Sequence, residues 1–217
     1  MTQEVCFITC TNDKRQYRQC SDYIRKLKVP EGYRVRLLPI YNATGMAAGY
    51  NRAMYESRAK YKIYLHQDVF IINQNIIYDC IELFLQNPKL GMLGVVGCKK
   101  LSKSGVWWES DSLYGMVGDG KKDIKFLAPT QSYESVMAID GLLMITQYDI
   151  MWNERIFTGW HFYDTSQSLE FIRANYEVGI PFQVDSWCVH KSGQSSRRQY
   201  NRYKRRLKEY YKSFLEM

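Results

Sequence analysis

The first 68 residues alternate three β-rich runs with two segments of helical character, and this order limits the possible folds more than any other feature. The β-rich runs are Val5–Thr9, Tyr33–Ile40 and a run that begins at Tyr61. The first helical segment extends to about Lys28, and the second covers about 46–58. Strands that alternate with helices form parallel sheets with helical crossovers. This part of the chain therefore predicts an α/β fold.

The rest of the chain continues the pattern, except that glycines and charged turns between 99 and 134 predict short antiparallel strands and loops. The other predicted elements are a helix over 76–86, a strand over 92–98, a strand over 136–146 interrupted at Asp140-Gly141, a short helix near 148–152, a helix over 165–175, a strand over 181–189 and a terminal helix over 197–215. We expect a mostly parallel sheet flanked by helices, with a small antiparallel portion.

The third β-rich run ends in three polar residues, His66, Gln67 and Asp68, before apolar sequence resumes at Val69. A hydrophobic strand has no packing reason to place these residues in sequence, and open α/β sheets bind ligands at the carboxyl ends of their strands. Such side chains are able to hold a metal ion. The sequence therefore predicts a functional site here, although a structural alternative is that Asp68 only caps a turn.

The net charge of +8 is concentrated at the C-terminus. Residues 191–217 hold nine Lys or Arg against two Glu, a local net charge of +7, so the rest of the chain is close to neutral. A basic surface over the whole protein is not indicated. We therefore expect no nucleic-acid partner.

The same basic segment contains an aromatic stripe at helical spacing. Its members are Tyr200, Tyr203, Leu207, Tyr210, Tyr211 and Phe214. This composition is typical of a helix that lies at the interface of an anionic membrane. It is also typical of a terminal helix that packs its aromatic stripe on the domain and leaves its basic face in water. Both interpretations remain open from the sequence.

The length of 217 residues favours one globular domain. The N-terminal residues lack the charged start and apolar stretch of a signal peptide, and no run approaches the ~18 apolar residues of a membrane span. Cysteines at six positions form no CxxC pair, so we expect reduced thiols. The expected location is the cytoplasm, with peripheral contact at the inner face of the membrane if the terminal helix is interfacial.

Two groups of residues resemble a known family. The first is Asn42, Gly45, Asn51, Tyr61 and Asp68; the second is Asp140–Met144, Trp152–Phe157, Tyr163-Asp164 and Val189-His190. Their order and spacing resemble those of bacterial family-2 glycosyltransferases, which have the GT-A nucleotide-sugar fold. More narrowly, His66–Val69, Asp140–Met144 and Trp160–Asp164 together resemble a small subgroup related to the streptomycin-biosynthesis protein of this class.

The resemblance implies an inverting transferase that moves a sugar from a nucleoside diphosphate donor to a hydroxyl acceptor, in surface polysaccharide or secondary-metabolite glycosylation. It implies a divalent cation, Mn²⁺ or Mg²⁺, held by Asp68 with His66 and His190. It places the catalytic base at Asp164, with His161 as the second candidate. A helix N-cap is the structural alternative for Asp164.

Further residues are expected to contact the substrates. The donor-binding candidates are Thr9, Asn12, Asn42, Asn51, Gln67 and Asp140, and the acceptor-binding candidates are Trp107, Trp108, Trp160, His161 and Tyr163. The Trp107-Trp108 pair is interpreted equally well as core. Two positions depart from the family pattern, since His66 stands where the family has Asp and Tyr163 where it commonly has Glu.

We expect a GT-A-like domain over 1–196 and a basic amphipathic helix over 197–217, which belongs to the same domain or forms a membrane or partner appendage. The acceptor class is open between a saccharide, a lipid-linked molecule and a small molecule. Two alternatives for function are a nucleotide-sugar-binding protein without transferase activity and a sugar-phosphate nucleotidyltransferase. The nucleotidyltransferase alternative is disfavoured because this sequence lacks the glycine-rich basic loop that such an enzyme is expected to carry after its first strand.

Overall fold

The computed structural model describes residues 2–191 and 197–216. In this part of the chain the strands are β1 (Gln3–Thr11), β2 (Tyr33–Tyr41), β3 (Tyr61–Leu65), β4 (Val69–Ile71), β5 (Leu90–Gly94), β6 (Val96–Cys98), β7 (Leu113–Gly118), β8 (Asp123–Lys125), β9 (Tyr133–Val136), β10 (Ala138–Ile139), β11 (Leu143–Thr146), β12 (Glu177–Pro181) and β13 (Cys188–His190). The α-helices are α1 (Lys14–Ile24), α2 (Met46–Glu56), α3 (Ile76–Gln86), α4 (Tyr163–Arg173), α5 (Arg197–Tyr210) and α6 (Lys212–Leu215).

The central sheet has the strand order β2-β1-β3-β11-β5-β12-β9. Strands β2, β1 and β3 are parallel, as the alternation of strands and helices predicts. Strand β11 runs antiparallel to both β3 and β5, and β9 runs antiparallel to β12. The α/β class is therefore confirmed, but the sheet is mixed and the expected predominance of parallel pairing is limited to part of it.

A second sheet has the order β10-β6-β7-β13-β4, with β8 paired to β7. Its pairings are antiparallel except that of β13 with β7. It contains most of the region in which glycines and charged turns predict short antiparallel strands. The pairing of β13 with β4 places the C-terminal end of one strand beside the start of the other, which positions the candidate site.

Several predicted elements differ from the structure. The strand expected over 92–98 is two strands, β5 and β6, which belong to different sheets. The segment 148–152 is not helical, because distant residues hold it: Asn51 bonds both the N–H and the carbonyl of Trp152, and the Lys62 side chain donates to the Asp149 carboxylate at 2.7 Å. The strand expected over 181–189 is two short strands, β12 and β13, separated by a loop. Helix α4 begins at Tyr163, two residues earlier than the predicted start.

Part of the aromatic stripe over 200–214 packs on the domain, although Tyr210 is 46% exposed. Tyr203, Leu207 and Tyr211 are at most 4% exposed. The Tyr203 hydroxyl lies 2.8 Å from Thr158 Oγ1, and the Tyr211 hydroxyl donates to Glu170 at 2.6 Å. These side chains are occupied in the core, so they are not available for insertion into a bilayer.

The predicted boundary at residue 196 lies outside the described residues. All six cysteines are buried and unpaired, in agreement with the expectation of reduced thiols. Among the described residues, no helix combines the length and the apolar character needed to cross a membrane.

Candidate functional site

Three potential metal ligands converge where β4 pairs with β13. His66 and Asp68 lie in the link between β3 and β4, and His190 ends β13 opposite Val69. Asp68 Oδ1 lies 3.5 Å from His190 Nε2 and 4.0 Å from His66 Nδ1. One ligand atom from each residue lies within 4.8 Å of the other two. The side chains are largely buried but remain open to an ion.

The protonation states of this donor set fit a divalent cation. Burial, and then the charge of His190, lowers the pKa of His66 to about 4, so its imidazole is neutral at pH 7. Burial opposes ionisation of Asp68, but its hydrogen bond and charge interaction with His190 hold its pKa below the usual range. Burial opposes protonation of His190, yet Asp68 and Asp140 raise its pKa. A bound cation would replace the proton that His190 shares with Asp68.

Asp164 presents a partly buried carboxyl group in the first turn of α4. One of its oxygens accepts from the Gly141 N–H at 2.9 Å and the other from the Thr165 N–H at 2.8 Å. Phe162, in a left-handed conformation at φ 61°, holds the N-cap position, so the N-cap alternative for Asp164 is wrong. Burial, and then the nearby Asp140 carboxylate, raises the pKa of Asp164 to about 7. A base with such a pKa is suited to proton transfer at neutral pH.

Tyr163 links the metal ligands to Asp164. Its hydroxyl contacts His66 Nε2 and donates to the Gly141 carbonyl at 3.3 Å. The same glycine donates its N–H to Asp164. Tyr163 is only 4% exposed, so it lies behind the site and does not form an open acceptor wall. These contacts join the potential metal ligands and the candidate base into one site.

A cavity of about 560 Å³ opens beside the metal ligands. Gln67 connects the link between β3 and β4 to the end of β1. Its Oε1 accepts from Thr11 Oγ1 at 2.6 Å, and its Nε2 donates to Asn12 Oδ1 at 2.7 Å. The lining residues are Cys10, Thr11, Asn12, Ile40, Asn42, Ala43, Met46, His66, Gln67, Asp68 and Trp160. A larger cleft of about 710 Å³ beside α3 shares none of these residues. The smaller cavity is the one that adjoins the potential metal ligands.

Three of the six predicted donor-binding residues, Asn12, Asn42 and Gln67, line this cavity. Thr9 does not reach it: strand β1 continues to Thr11, and Thr9 is buried within the strand at 1% exposure. The residue that stands at the strand end is therefore Thr11. The expectation for Thr9 is corrected because the strand is two residues longer than its predicted end.

The two other donor-binding candidates have structural partners. Both atoms of the Asn51 amide bond the Trp152 backbone, at 3.0 and 2.9 Å, in a neighbouring cleft. Asp140 separates β10 from β11 and accepts from the Leu142 N–H at 2.8 Å. Burial raises the pKa of Asp140, and its charge in turn raises the pKa of Asp164. Asn51 thus anchors the loop, while Asp140 acts electrostatically on Asp164.

The aromatic residues predicted to bind the acceptor differ in their solvent exposure. Trp160 is 45% exposed and lines the cavity, and Trp108 is 51% exposed. Trp107 is 7% exposed, so the core interpretation holds for this member of the pair. His161 packs edge-on against Tyr200 at 5.7 Å, and burial lowers its pKa.

The sequence reasoning missed several residues of the cavity, among them Cys10, Thr11 and Met46. The signal for the first two was present, because apolar and β-branched residues continue the first strand beyond Thr9. Met46 begins α2, and its N–H donates to the Gly159 carbonyl at 2.9 Å. That long-range contact has no sequence signal.

Comparison with known proteins agrees with this architecture. The profile of the Glycosyltransferase like family matches residues 6–211, so the chain belongs to this family. The match does not reach the streptomycin-related subgroup, which stays a prediction. No curated protein matches the chain.

Solved glycosyltransferases share the GT-A fold. The mannosyltransferase PcManGT from Pyrobaculum calidifontis, in complex with GDP-Man and Mn²⁺, matches with a TM-score of 0.55 at 13% identity over 90% of this chain and 59% of that one. TarS 1-349 of S. aureus matches with a TM-score of 0.60 at 8% identity over 98% and 73% of the two chains. A UDP complex of TarS 1-349 gives 0.58 at 9% identity over 95% and 64%. The chain thus spans only 59% of the mannosyltransferase.

Proposed function

We propose that this chain is an inverting, metal-dependent glycosyltransferase that moves a sugar from a nucleoside diphosphate donor to an acceptor hydroxyl. One observation carries the proposal. Three metal ligands and a carboxyl group with a pKa of about 7 are joined through Tyr163 and Gly141. Such a reaction needs charge neutralisation for the leaving group and a base for the attacking hydroxyl, and the two requirements correspond to these two features.

The donor side is assigned to the cavity beside His66, Asp68 and His190. Mn²⁺ or Mg²⁺ held by these residues would supply the positive charge that balances the diphosphate. Asn12 and Asn42 present polar groups to the cavity and are the proposed contacts to the nucleotide. The bound GDP-Man and Mn²⁺ of the mannosyltransferase, and the bound UDP of TarS, support this class of donor.

The acceptor side is assigned to Asp164, which accepts the proton of the attacking hydroxyl. A single displacement on the face opposite the leaving group inverts the anomeric centre. The exposed faces of Trp160 and Trp108 are the proposed contacts to the acceptor, because aromatic faces pack well against sugar rings. His161 is the second candidate for the base.

The peripheral membrane contact predicted for the terminal helix is assigned to the basic face of α5. Arg202, Arg205 and Lys208 are exposed, whereas the stripe members Tyr203, Leu207 and Tyr211 are buried in the core. Contact with an anionic surface through these side chains is electrostatic and therefore sensitive to salt. This attachment would suit a lipid-linked acceptor.

The function is tested by incubating the purified chain with UDP-, GDP-, CDP- and dTDP-sugars, with Mn²⁺ or Mg²⁺, in the presence and absence of candidate acceptors. We expect release of the nucleoside diphosphate that depends on metal, and a product whose anomeric configuration by NMR is opposite to that of the donor. Retained configuration would contradict the single displacement. Binding without release would indicate a nucleotide-sugar-binding protein, and sugar-nucleotide synthesis from a nucleoside triphosphate would indicate a nucleotidyltransferase.

A further inference from the structure

The two positions at which the sequence departs from the family pattern contact each other. His66 Nε2 meets the Tyr163 hydroxyl, although 97 residues separate them in the chain. Both side chains are held in place: Tyr163 is 4% exposed, and its ring packs edge-on against Tyr50 at 5.9 Å. A Cβ at position 141 would overlap the Tyr163 hydroxyl, so only glycine leaves room for it. The contact is therefore built into the core of the site.

The position of the protons follows from the partners of this hydroxyl. Tyr163 has one hydroxyl proton, and its second neighbour is the Gly141 carbonyl at 3.3 Å, which only accepts. The arrangement that satisfies both contacts has the tyrosine donating to Gly141 and accepting from the Nε2–H of His66. A neutral imidazole protonated at Nε2 has its lone pair on Nδ1.

The free nitrogen of His66 faces the other two ligands. His66 Nδ1 lies 4.0 Å from Asp68 Oδ1, which is too far for a hydrogen bond. It is a suitable separation for two ligands of one ion, since ligands at about 2.1 Å stand about 3.0 Å apart when adjacent and about 4.2 Å apart when opposite. The 3.5 Å between Asp68 and His190 falls within the same limits.

We propose that the Tyr163 hydroxyl is a positioning group that fixes His66 with Nδ1 directed at Asp68 and His190, so that the site selects Mn²⁺ over Mg²⁺. The inference rests on the metal-dependent function proposed above. Hydrogen bonds from ligating imidazoles to outer groups set their tautomer and orientation. Imidazole nitrogen favours transition metals, whereas Mg²⁺ favours an all-oxygen set. Tyr163 thus acts through His66 and touches neither substrate.

The test measures Mn²⁺ and Mg²⁺ affinity by calorimetry on the full chain without donor or acceptor. Tyr163→Phe should weaken Mn²⁺ binding by about 10- to 100-fold and change Mg²⁺ binding little, because it removes the outer partner of the imidazole. Tyr50→Phe is the matched control: it removes a buried hydroxyl of the same aromatic cluster that has no partner among the described residues, so Mn²⁺ affinity should not change.

A second experiment, in the His66→Asp background, tests whether Tyr163 acts through His66. His66→Asp should shift the preference toward Mg²⁺, and Tyr163→Phe added to it should have no further effect on Mn²⁺ affinity. Nitrogen-15 NMR of the metal-free wild type should show His66 protonated at Nε2. Protonation at Nδ1, unchanged Mn²⁺ affinity in Tyr163→Phe, or an equal loss in both backgrounds would overturn the inference. These readouts use the metal alone, so they are distinct from failure of the transfer assay.

Discussion

Polar groups have opposite environments in two regions of the molecule: the polar edge of the sheet, formed by His66, Asp68 and His190, and the aromatic stripe over 200–214. At the edge, His66, Asp68 and His190 are crowded together with shifted pKa values beside an open cavity. In the stripe, the hydroxyls of Tyr203 and Tyr211 are buried and have protein partners at 2.8 and 2.6 Å. The side chains of the edge remain accessible to a ligand, whereas the hydroxyls of Tyr203 and Tyr211 already have their hydrogen-bond partners within the protein.

The difference teaches that ionisable groups crowded together beside an open cavity indicate function better than an amphipathic pattern does. The stripe nevertheless supports the site. Tyr203 packs against Gly159, whose carbonyl accepts from the N–H of the cavity residue Met46. The loop that carries Trp160 is therefore held between α5 and the start of α2. Changes in the stripe should act through folding, and changes at the edge through ligand binding or turnover.

The largest expected effect comes from deleting residues 197–217. Truncation removes Tyr203, Leu207 and Tyr211 from the core at once, and each such loss costs about 2–5 kcal/mol. Their sum reaches the ~5–15 kcal/mol that stabilises a typical domain. We expect circular dichroism to show an unfolded or aggregated protein. A folded truncated chain that only loses binding to anionic vesicles would show that the stripe is an appendage.

A single substitution in the stripe gives a smaller effect. Leu207 is fully buried and packs over Gly105, which adopts φ +74°. Leu207→Ala should lower the free energy of unfolding in urea by about 2–5 kcal/mol. Lys208→Ala, on the adjacent exposed position, is the matched control and should change it by less than about 0.5 kcal/mol. Equal effects from the two would contradict the packing of this helix.

The pH dependence of turnover tests the other region. The pKa of Asp164 is raised to about 7, and the base is its ionised form, so activity is present above that pKa and is lost as the pH falls through it. We expect kcat/KM to fall about tenfold per pH unit below pH 7 and to be flat above it. Donor binding, measured at each pH with saturating metal, should not follow this profile. A profile that stays flat down to pH 5.5 would exclude Asp164 as the base.

Much of the fold could be predicted because it follows from local periodicity. The parallel pairing of β1, β2 and β3 and the presence of helices α1 to α3 agree with the predicted alternation, since each helix buries one face and the crossovers are helical. The place of β11 between β3 and β5 could not be predicted, because strand pairing depends on long-range contacts. The same reason explains the missing helix at 148–152, where Asn51 and Lys62 from distant segments hold the chain.

The site was predictable where chemistry and strand ends coincide. Asp68 and His66 stand out as polar residues at a strand end, His190 was implied by the family resemblance, and the structure brings the three together. Asn51 and Trp107 were indistinguishable from binding residues by type alone, since an amide or an indole serves packing equally well. The contact between His66 and Tyr163 depends on the approach of α4 to β3, which no local pattern specifies.

The most direct measurement compares Asp164→Asn with Asp68→Asn, by turnover and by calorimetry of nucleoside diphosphate binding with Mn²⁺. Asp164→Asn should lower kcat by about 10²- to 10⁴-fold and leave binding nearly unchanged, because a general base acts in the transition state. Asp68→Asn should weaken metal-dependent binding. Asp79→Asn, in the first turn of α3 and outside the cavity, should change neither. Persistent turnover in Asp164→Asn, or a loss of binding equal to its loss of activity, would contradict the division of the site into a metal side and a base side.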